Sequence, residues 1–420
     1  MKAAVFILAG VGLLVAAPAI SQNVIEHSRV QGALADLAVI QAQRLSELAG
    51  YAPTIEGHAS GGYSYSRDVN NKIADPSIVD TLPKGPWTAD VTITQPLIKP
   101  DATLQEALDI IDANIAVAQS KVEDACATVA RDADLIRVAA GADSARLAVS
   151  RETQLRLLQT TREVESRVKA AEVPASDLLE ARDRQQRWIA AQLQAEASSE
   201  AAAARWSKLW STQQVQVLKA AQTQEVACAS QDQCQELVKA GFPLLKAAQQ
   251  RVQAAQLQLN KAAHLRLPQL DAQVVARHNV QTYQTQESDE LTAKLVGRVQ
   301  LPWGVQAATK RQEQVAALQA AQQHLRLTKD EATGDARVAY LTERADRVQL
   351  KAAAIRRLNA DATLKAMREG YKAAKKDARS VLDAVEATAT IDVEIVRLRE
   401  EMGTASVMLA YLTGAYGCGK

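Results

Sequence analysis

The sequence predicts a mainly α-helical chain with a transmembrane β-barrel portion, built from two repeats of a helix, a β-hairpin and a long helical hairpin. Three observations support this fold class. The composition is typical of long helices, two segments switch from helical to alternating periodicity, and the pattern of the first half returns after about two hundred residues. Each half is therefore expected to form the same series of elements.

The first 22 residues have the pattern of a secretory signal peptide. Lys2 precedes an apolar run from Ala3 to Ala17, and the small residues Ala17-Pro18-Ala19 suit cleavage. The run is short for a stable membrane-spanning helix, and an uncleaved anchor is the alternative. We expect residues 1–22 to be removed on export.

The composition argues against a compact globular core. The chain has two Phe residues among 420, and aromatic residues make up 4% of it. The formal net charge is +1, with acidic and basic residues interspersed, so that no basic patch points to nucleic acid as a partner. Long helices and coiled coils are the expected architecture.

The cysteines and histidines predict no chemistry. In an oxidising compartment Cys228 and Cys234 could close a small disulfide loop, and the sequence leaves open whether they are bridged. The spacing of the cysteines matches no common zinc pattern, and the five histidines are scattered. No metal site, no cofactor and no nucleophile–base pair is predicted, so we do not expect an enzyme.

An unbroken apolar seam runs along the first long helix. Its residues alternate at spacings of four and three, as in a coiled coil, and no proline occurs between Asp101 and Pro174. A helix of that length measures on the order of 100 Å, more than an ordinary globular domain needs. The seam consists of Leu104, Leu108, Ile111, Ile115, Ala118, Val122, Ala125 and Val129.

Four segments alternate with a period of two and predict β-strands at about 53–67, 88–96, 268–281 and 290–302. In the first strand, for example, Ile55 and Gly57 lie on one face, with Glu56 and His58 on the other. An apolar face and a polar face on strands of about ten residues suit a tilted transmembrane strand. Trp303 suits the interface of such a membrane, although a half-buried soluble sheet would show the same alternation.

Four strands are too few to close a membrane barrel. An open sheet edge is not tolerated in lipid, and the smallest membrane barrels have about eight strands. If the strands span a membrane, each chain must therefore pool them with partner chains.

The repeat sets the predicted domain boundaries. Residues 170–181 align without a gap with residues 373–384, and both stretches interrupt long helices at matching places. We expect a first repeat over 23–230, with its helical hairpin at 101–215. The second repeat is expected over 231–420, with its hairpin at 305–413.

Several short motifs, in this order, resemble the TolC family of outer-membrane efflux proteins over about residues 24–417. The motifs are Gln95-Pro96-Leu97, Leu267-Pro268-Gln269-Leu270, Val299-Gln300-Leu301-Pro302, the turn from Glu369-Gly370-Tyr371 to Val381-Leu382-Asp383-Ala384, and Leu412-Thr413-Gly414.

The resemblance implies a homotrimer in the bacterial outer membrane with a long periplasmic extension. Twelve strands would form one barrel in the lipid, and twelve helices one tunnel. The chain would be the passive outer-membrane component of a tripartite efflux pump or a type I secretion system. Its partners would be a periplasmic adaptor and an inner-membrane pump of the RND or ABC type. Drugs, metal ions and unfolded proteins all remain open as cargo.

The resemblance also implies a gate at the helical turns. Tyr371 matches a tyrosine that helps to hold the helix pairs closed, and Lys376 stands where the family often has an arginine of the same hydrogen-bonded network. Ser380 departs from the family pattern, in which an aspartate would form a ring of carboxylates across the trimer axis.

Four further residues belong to this expected gate. Asp177 and Asp383 match acidic family positions, and Pro174 is expected to stiffen the first turn. Gly370 is either a gate residue or only a packing position, and a solvated turn charge is the alternative for both aspartates.

Two other kinds of protein share part of this pattern. A periplasmic adaptor has a long helical hairpin, but a single one beside glycine-rich soluble β-domains. A structural coiled-coil rod would lack the four alternating strands. The two equivalent hairpins and the strands favour the channel.

Overall fold

A computed structural model describes residues 24–61, 87–98, 104–210, 228–263, 269–281, 286–298 and 305–418. The predicted signal peptide lies outside the described residues. The helices are α1 (Ser28–Ala49), α2 (Leu104–Lys169), α3 (Ala175–Trp210), α4 (Gln231–Gly241), α5 (Pro243–Ala263), α6 (Val305–Lys372) and α7 (Ala378–Leu412). The strands are β1 (Thr54–Gly61), β2 (Trp87–Ile98), β3 (Gln269–Gln281) and β4 (Gln286–Arg298). The mainly helical fold is confirmed.

Each half contains one long helical hairpin. A helix of 66 residues, α2, precedes one of 36 residues in the first half, and a helix of 68 residues, α6, precedes one of 35 residues in the second. Residues 101–103 and 211–215 of the first predicted hairpin lie outside the described residues. None of the helices in the described ranges is both long and apolar enough to cross a membrane.

The helix before the third strand is interrupted, which the sequence reasoning did not foresee. Helix α4 ends at Gly241 and α5 begins at Pro243, a residue that is well suited to the first position of a helix. Gly241 lies so close to the end of α7 that a Cβ atom on it would be 2.0 Å from the carbonyl oxygen of Thr413. Only glycine fits at this crossing.

The four strands form one antiparallel sheet in the order β1-β2-β3-β4, so the hairpins of both halves lie side by side. The apolar residues share one face, as the alternation predicts: Ile55 is opposite Ile93, which is opposite Val274. None of the described residues covers this face, since Ile55 is 71% and Leu291 77% exposed. Within the described residues, β1 and β4 are the two edges.

The strand bounds differ from the predicted ones at some ends. Strand β4 begins at Gln286, four residues before the predicted start, and β2 continues to Ile98 past a register shift after Pro96. The predicted strand residues 62–67 and 299–302 lie outside the described residues.

The chain divides into two compact units. One unit, of residues 36–118 and 248–325, contains the sheet and the helix ends that flank it. In it Arg44 of α1 pairs with Asp112 of α2 at 2.8 Å. The other unit, of residues 1–35, 119–247 and 326–420, contains the hairpin turns, α4 and the C-terminal tail.

In the unit that contains the hairpin turns, α6 and α7 differ in how many side chains they bury. Helix α7 buries many of its side chains in the core, including Leu382, Leu398 and Leu409. On α6, by contrast, exposed small and apolar residues recur at spacings of four and three, which is the pattern of a coiled-coil contact face. This α6 seam consists of Gly334, Val338, Leu341, Ala345, Val348, Ala352 and Ile355.

The C-terminal tail is fastened to α2. Cys418 forms a disulfide with Cys126, with 5.2 Å between their Cα atoms and a sequence separation of 292. The sequence reasoning missed this pair. Two hydrogen bonds lie beside it, from the Tyr411 hydroxyl to Asp124 at 2.9 Å and from the Tyr416 hydroxyl to Asp134 at 2.8 Å.

The remaining cysteines are paired in the structure as well. Cys228 and Cys234 form a disulfide, with 5.3 Å between their Cα atoms, at the start of α4. The Ser230 side chain accepts a hydrogen bond from the Gln233 N–H and caps this helix. Whether the bond forms in the exported protein stays a prediction that a thiol count can test.

Candidate functional site at the hairpin turns

The two hairpins reverse direction through the same backbone turn. Ala171 and Ala374 adopt left-handed conformations, with φ of 57° and 55°. The next residue in each turn donates its N–H back into the helix, Glu172 to the Arg167 carbonyl at 2.9 Å and Lys375 to the Gly370 carbonyl at 2.8 Å. This is the Schellman end of a helix. Ala171 and Ala374 are also equivalent positions in the gap-free alignment of residues 170–181 with residues 373–384.

The return helices begin differently. Asp377 caps α7, and its carboxylate accepts a hydrogen bond from the Ser380 N–H at 3.0 Å and another from the Ser380 hydroxyl. These bonds from Ser380 hold the pKa of Asp377 below its usual value. In the first turn Pro174 takes the corresponding place, and the Asp177 N–H donates to its carbonyl at 3.2 Å. Ser380, which replaces the expected aspartate, is thus part of a helix cap.

Tyr371 lies in an apolar cluster and is 2% exposed. The cluster also contains Val164, Ala378 and Val381, and the Arg167 guanidinium carbon is 4.2 Å from the centre of the tyrosine ring. Burial raises the pKa of Tyr371. Its hydroxyl has no hydrogen-bond partner among the described residues.

The structure does not join Tyr371 to Lys376 by a hydrogen bond. Lys376 is exposed, and its side chain crosses Gly370 so closely that a Cβ atom there would be 2.8 Å from the Lys376 Cγ. Tyr371 faces inward because its neighbours across the turn are apolar, which keeps its hydroxyl away from the exposed lysine. Gly370 is the position that lets the lysine stem pass.

Asp383 belongs to a salt-bridge cluster centred on Arg184, a residue that the sequence reasoning missed. Arg184 lies on α3 and is almost completely buried. It contacts Asp383 at 2.7 Å, Glu386 at 3.1 Å and also Glu180. We call these four residues the Arg184 cluster. Burial alone would lower the pKa of Arg184, but the hydrogen bonds to Glu180 and Asp383 outweigh it, and the pKa is raised.

The Arg184 cluster connects the two halves of the chain. Glu180 and Asp383 occupy equivalent positions in the aligned turns, so a carboxylate from each repeat contacts one arginine. Arg184 stands one helical turn after Glu180, a spacing that could have indicated an ion pair, but its partners on α7 lie about two hundred residues away.

An apolar cluster packs beside the Arg184 cluster. It contains buried residues from all four hairpin helices, among them Leu157 of α2, Ala181 of α3, Leu364 of α6 and Leu382 of α7. Trp188 packs against it. The turns are thus held by burial of apolar side chains, with one buried ionic contact between α3 and α7. This arrangement holds the hairpin helices together at their turns.

Comparison with known proteins identifies the fold. VceC, an outer membrane protein of the bacterial pathogen Vibrio cholerae, is 14% identical, with a TM-score of 0.78 over 95% of this chain and 95% of its own. CusC, whose structures describe transmembrane channel formation, is also 14% identical, with a TM-score of 0.78 over 94% of this chain and 91% of its own. The outer-membrane channel OprN is 13% identical, with a TM-score of 0.76 over 96% of this chain and 90% of its own.

No protein-family model and no curated protein sequence matches the chain. The agreement with solved structures covers nearly all of its length, and at these identities it concerns the fold. The resemblance that the sequence indicated is therefore confirmed at the level of the fold, and the chain has the fold of the TolC-like outer-membrane channels.

Proposed function

We propose that this chain is one protomer of a homotrimeric outer-membrane channel that conducts exported cargo passively. The observation that carries the proposal is the open sheet, in which an exposed apolar face backs a polar face on strands of 8 to 13 residues. Strands of this length suit a tilted crossing of the lipid core. The fold shared with known outer-membrane channels supports the same function.

The free edges of the sheet support an assembly of several copies. In lipid the unpaired N–H and C=O groups of β1 and β4 would each cost several kcal/mol, on the order of what one lost hydrogen bond costs in an apolar medium. Pairing β4 of one copy with β1 of the next removes both edges. Three copies would give a closed barrel of twelve strands.

The α6 seam supports the same assembly in the helical part. Val338 is 64% and Ile355 61% exposed, although their spacing is that of a helix contact face. A seam of this kind is stable when another helix covers it, and in the proposed trimer that helix comes from a neighbouring copy. Twelve helices would then form one tunnel on the periplasmic side.

The partners follow from the proposed assembly. A passive conduit needs an energised component, so we propose that the channel works with a periplasmic adaptor and an inner-membrane pump of the RND or ABC type. It would serve a tripartite efflux pump or a type I secretion system. The solved structures named above are described as channels or membrane proteins, and drugs, metal ions and proteins all stay open as cargo.

We also propose that the hairpin turns form the periplasmic gate. Tyr371, Lys376, Asp177, Asp383 and Ser380 all lie at these turns, within a few residues of a chain reversal or in the first turns of the return helices. The Arg184 cluster and the buried Tyr371 ring would hold the turns closed. Residues 23–230 and 231–420 would be the two repeats, each supplying one turn.

The decisive experiment is native mass spectrometry of the unheated, detergent-extracted outer-membrane fraction. A trimer of the exported chain supports barrel sharing. A soluble periplasmic monomer would contradict the channel and favour an adaptor or a structural coiled-coil protein.

A further inference from the structure

The polar face of the sheet carries one row in which all four strands contribute an ionisable residue. His58 on β1 is opposite Asp90 on β2, Asp90 is opposite Arg277 on β3, and Arg277 is opposite Glu290 on β4. Directly opposite side chains on one face lie about 5 Å apart at Cβ. We call these four residues the charged row.

The neighbouring rows differ from the charged row. Toward the ends of the strands at Gly61 and Trp87, the next row on the same face is Ser60, Thr88, Asn279 and Ser288, which carries no charge. On the other side the next row has Glu56 as its one ionisable residue, beside Thr92, Val275 and Thr292. Among the described residues, the charged row is thus the level at which charge is concentrated on the polar face.

The charged row has one carboxylate more than it has guanidinium groups. Arg277 stands between Asp90 and Glu290 and neutralises one of them. The charged groups around His58 are Asp90 opposite it and Glu56 on its own strand, 3.9 Å away. On its other side β1 is the sheet edge, where β4 of the next copy would pair.

The opposite face at this level marks the end of the apolar band. His278 contacts Asp289 at 2.6 Å, and the Trp87 ring lies 5.2 Å from the His278 ring. Tryptophan is typical of the boundary between lipid and water, and charged side chains on the lipid-facing side cost least there. The charged row therefore lies toward one mouth of the proposed barrel, at the end where each β-hairpin turns.

We infer that the charged row sets the ion preference of the barrel mouth. The inference rests on the proposed trimeric channel, in which the polar face lines the lumen. Three copies bring three uncompensated carboxylates to the mouth, which favours cations.

The test is the reversal potential of the purified protein in planar bilayers under a KCl gradient at low salt and pH 7.5. Low salt is needed because the screening length is about 10 Å at 0.1 M and longer below. We expect Asp90→Asn to lower the cation-to-anion permeability ratio about twofold.

Asp289→Asn is the matched control, because it removes a carboxylate of the neighbouring level from the opposite face of the sheet. It should leave the permeability ratio unchanged. The single-channel conductance of each variant reports that the variant has folded and assembled.

The outcomes separate the inference from the proposed function. A protein that forms no trimer contradicts both. A conducting trimer whose ion preference is the same in wild type and Asp90→Asn overturns the inference and leaves the channel standing. A lower permeability ratio in Asp289→Asn, with no change in Asp90→Asn, would reverse the assignment of the two faces and overturn it as well.

Discussion

The replacement Arg184→Met tests the connection between the two halves. The Arg184 side chain is 7% exposed, and methionine keeps its apolar stem while removing the charge. Three carboxylates would then lie close together, and the cation that remains near them is Arg379, 3.6 Å from Glu180. Loss of one partner of a buried ion pair costs about 3 to 5 kcal/mol. Because the carboxylates are 27% to 59% exposed, water can solvate them, and we expect about 2 to 3 kcal/mol.

Hydrogen–deuterium exchange of peptides from the start of α3 and α7 measures this loss. A local loss of about 2.7 kcal/mol corresponds to roughly hundredfold faster exchange where opening is local. Arg187→Met is the matched control, because Arg187 lies one turn further along α3 and pairs with Asp183 at 2.9 Å on the exposed surface. Such a pair contributes about 0.5 kcal/mol or less. Equal exchange in both variants would refute the role of the Arg184 cluster.

Three further predictions concern the backbone and the disulfides. Gly241→Ala should destabilise the protein by about 3 kcal/mol in denaturant titrations, since the new Cβ meets the Thr413 carbonyl, whereas Gly32→Ala, with open space around it, should stabilise by about 1 kcal/mol. Ala374→Gly should stabilise its turn by about 1 kcal/mol, because the residue has a left-handed backbone, and amide hydrogen exchange of the turn should slow. Ala366→Gly, inside α6, should destabilise the helix by a similar amount and accelerate amide exchange there. A thiol titration of the unreduced, denatured protein should find no free thiol, since all four cysteines are paired.

Each of these predictions has an outcome that would contradict it. Equal stability of the two glycine variants would mean that α4 and the end of α7 are further apart than described. A destabilised Ala374→Gly variant would contradict the left-handed backbone conformation of Ala374. Two free thiols would mean that one disulfide is missing, and four would exclude both.

The longer disulfide should contribute most to stability. Closing a loop of 292 residues removes conformational freedom from the unfolded chain, worth about 6 kcal/mol in the chain-entropy model, which is an upper bound. Cys418→Ser in the oxidised protein should therefore unfold at a lower denaturant concentration than the wild type. An unchanged midpoint would show that the link does not constrain the unfolded chain.

The faces of the strands were predictable because alternation with a period of two is a local property. Ile55, Ile93 and Val274 needed no knowledge of pairing to be assigned to an apolar face, and the register places them in one row. The positions of the turns were predictable from the repeat alone. Gly241 and Pro243 are likewise a local signal of the break between α4 and α5.

Other features depend on contacts between distant segments. The partners of Arg184 are fixed by how α3 and α7 are rotated against each other, which neither helix encodes by itself. Four cysteines allow three pairings, and nothing near Cys126 indicates Cys418. The inward position of Tyr371 follows from the apolar residues that pack around it, contributed by α2 as well as α7. For these residues the sequence predicts the part of the fold in which they lie, but not the residues that they contact.

The bond between Cys126 and Cys418 orders the events of biogenesis. The two cysteines are 292 residues apart, so this bond can close only after the whole segment between them has been synthesised. That segment includes both helices of the second hairpin, and until it is complete the residues around Cys418 are not fastened to α2. A chain that stops before Cys418 would lack this closure, and the disulfide would therefore mark subunits whose second hairpin is complete.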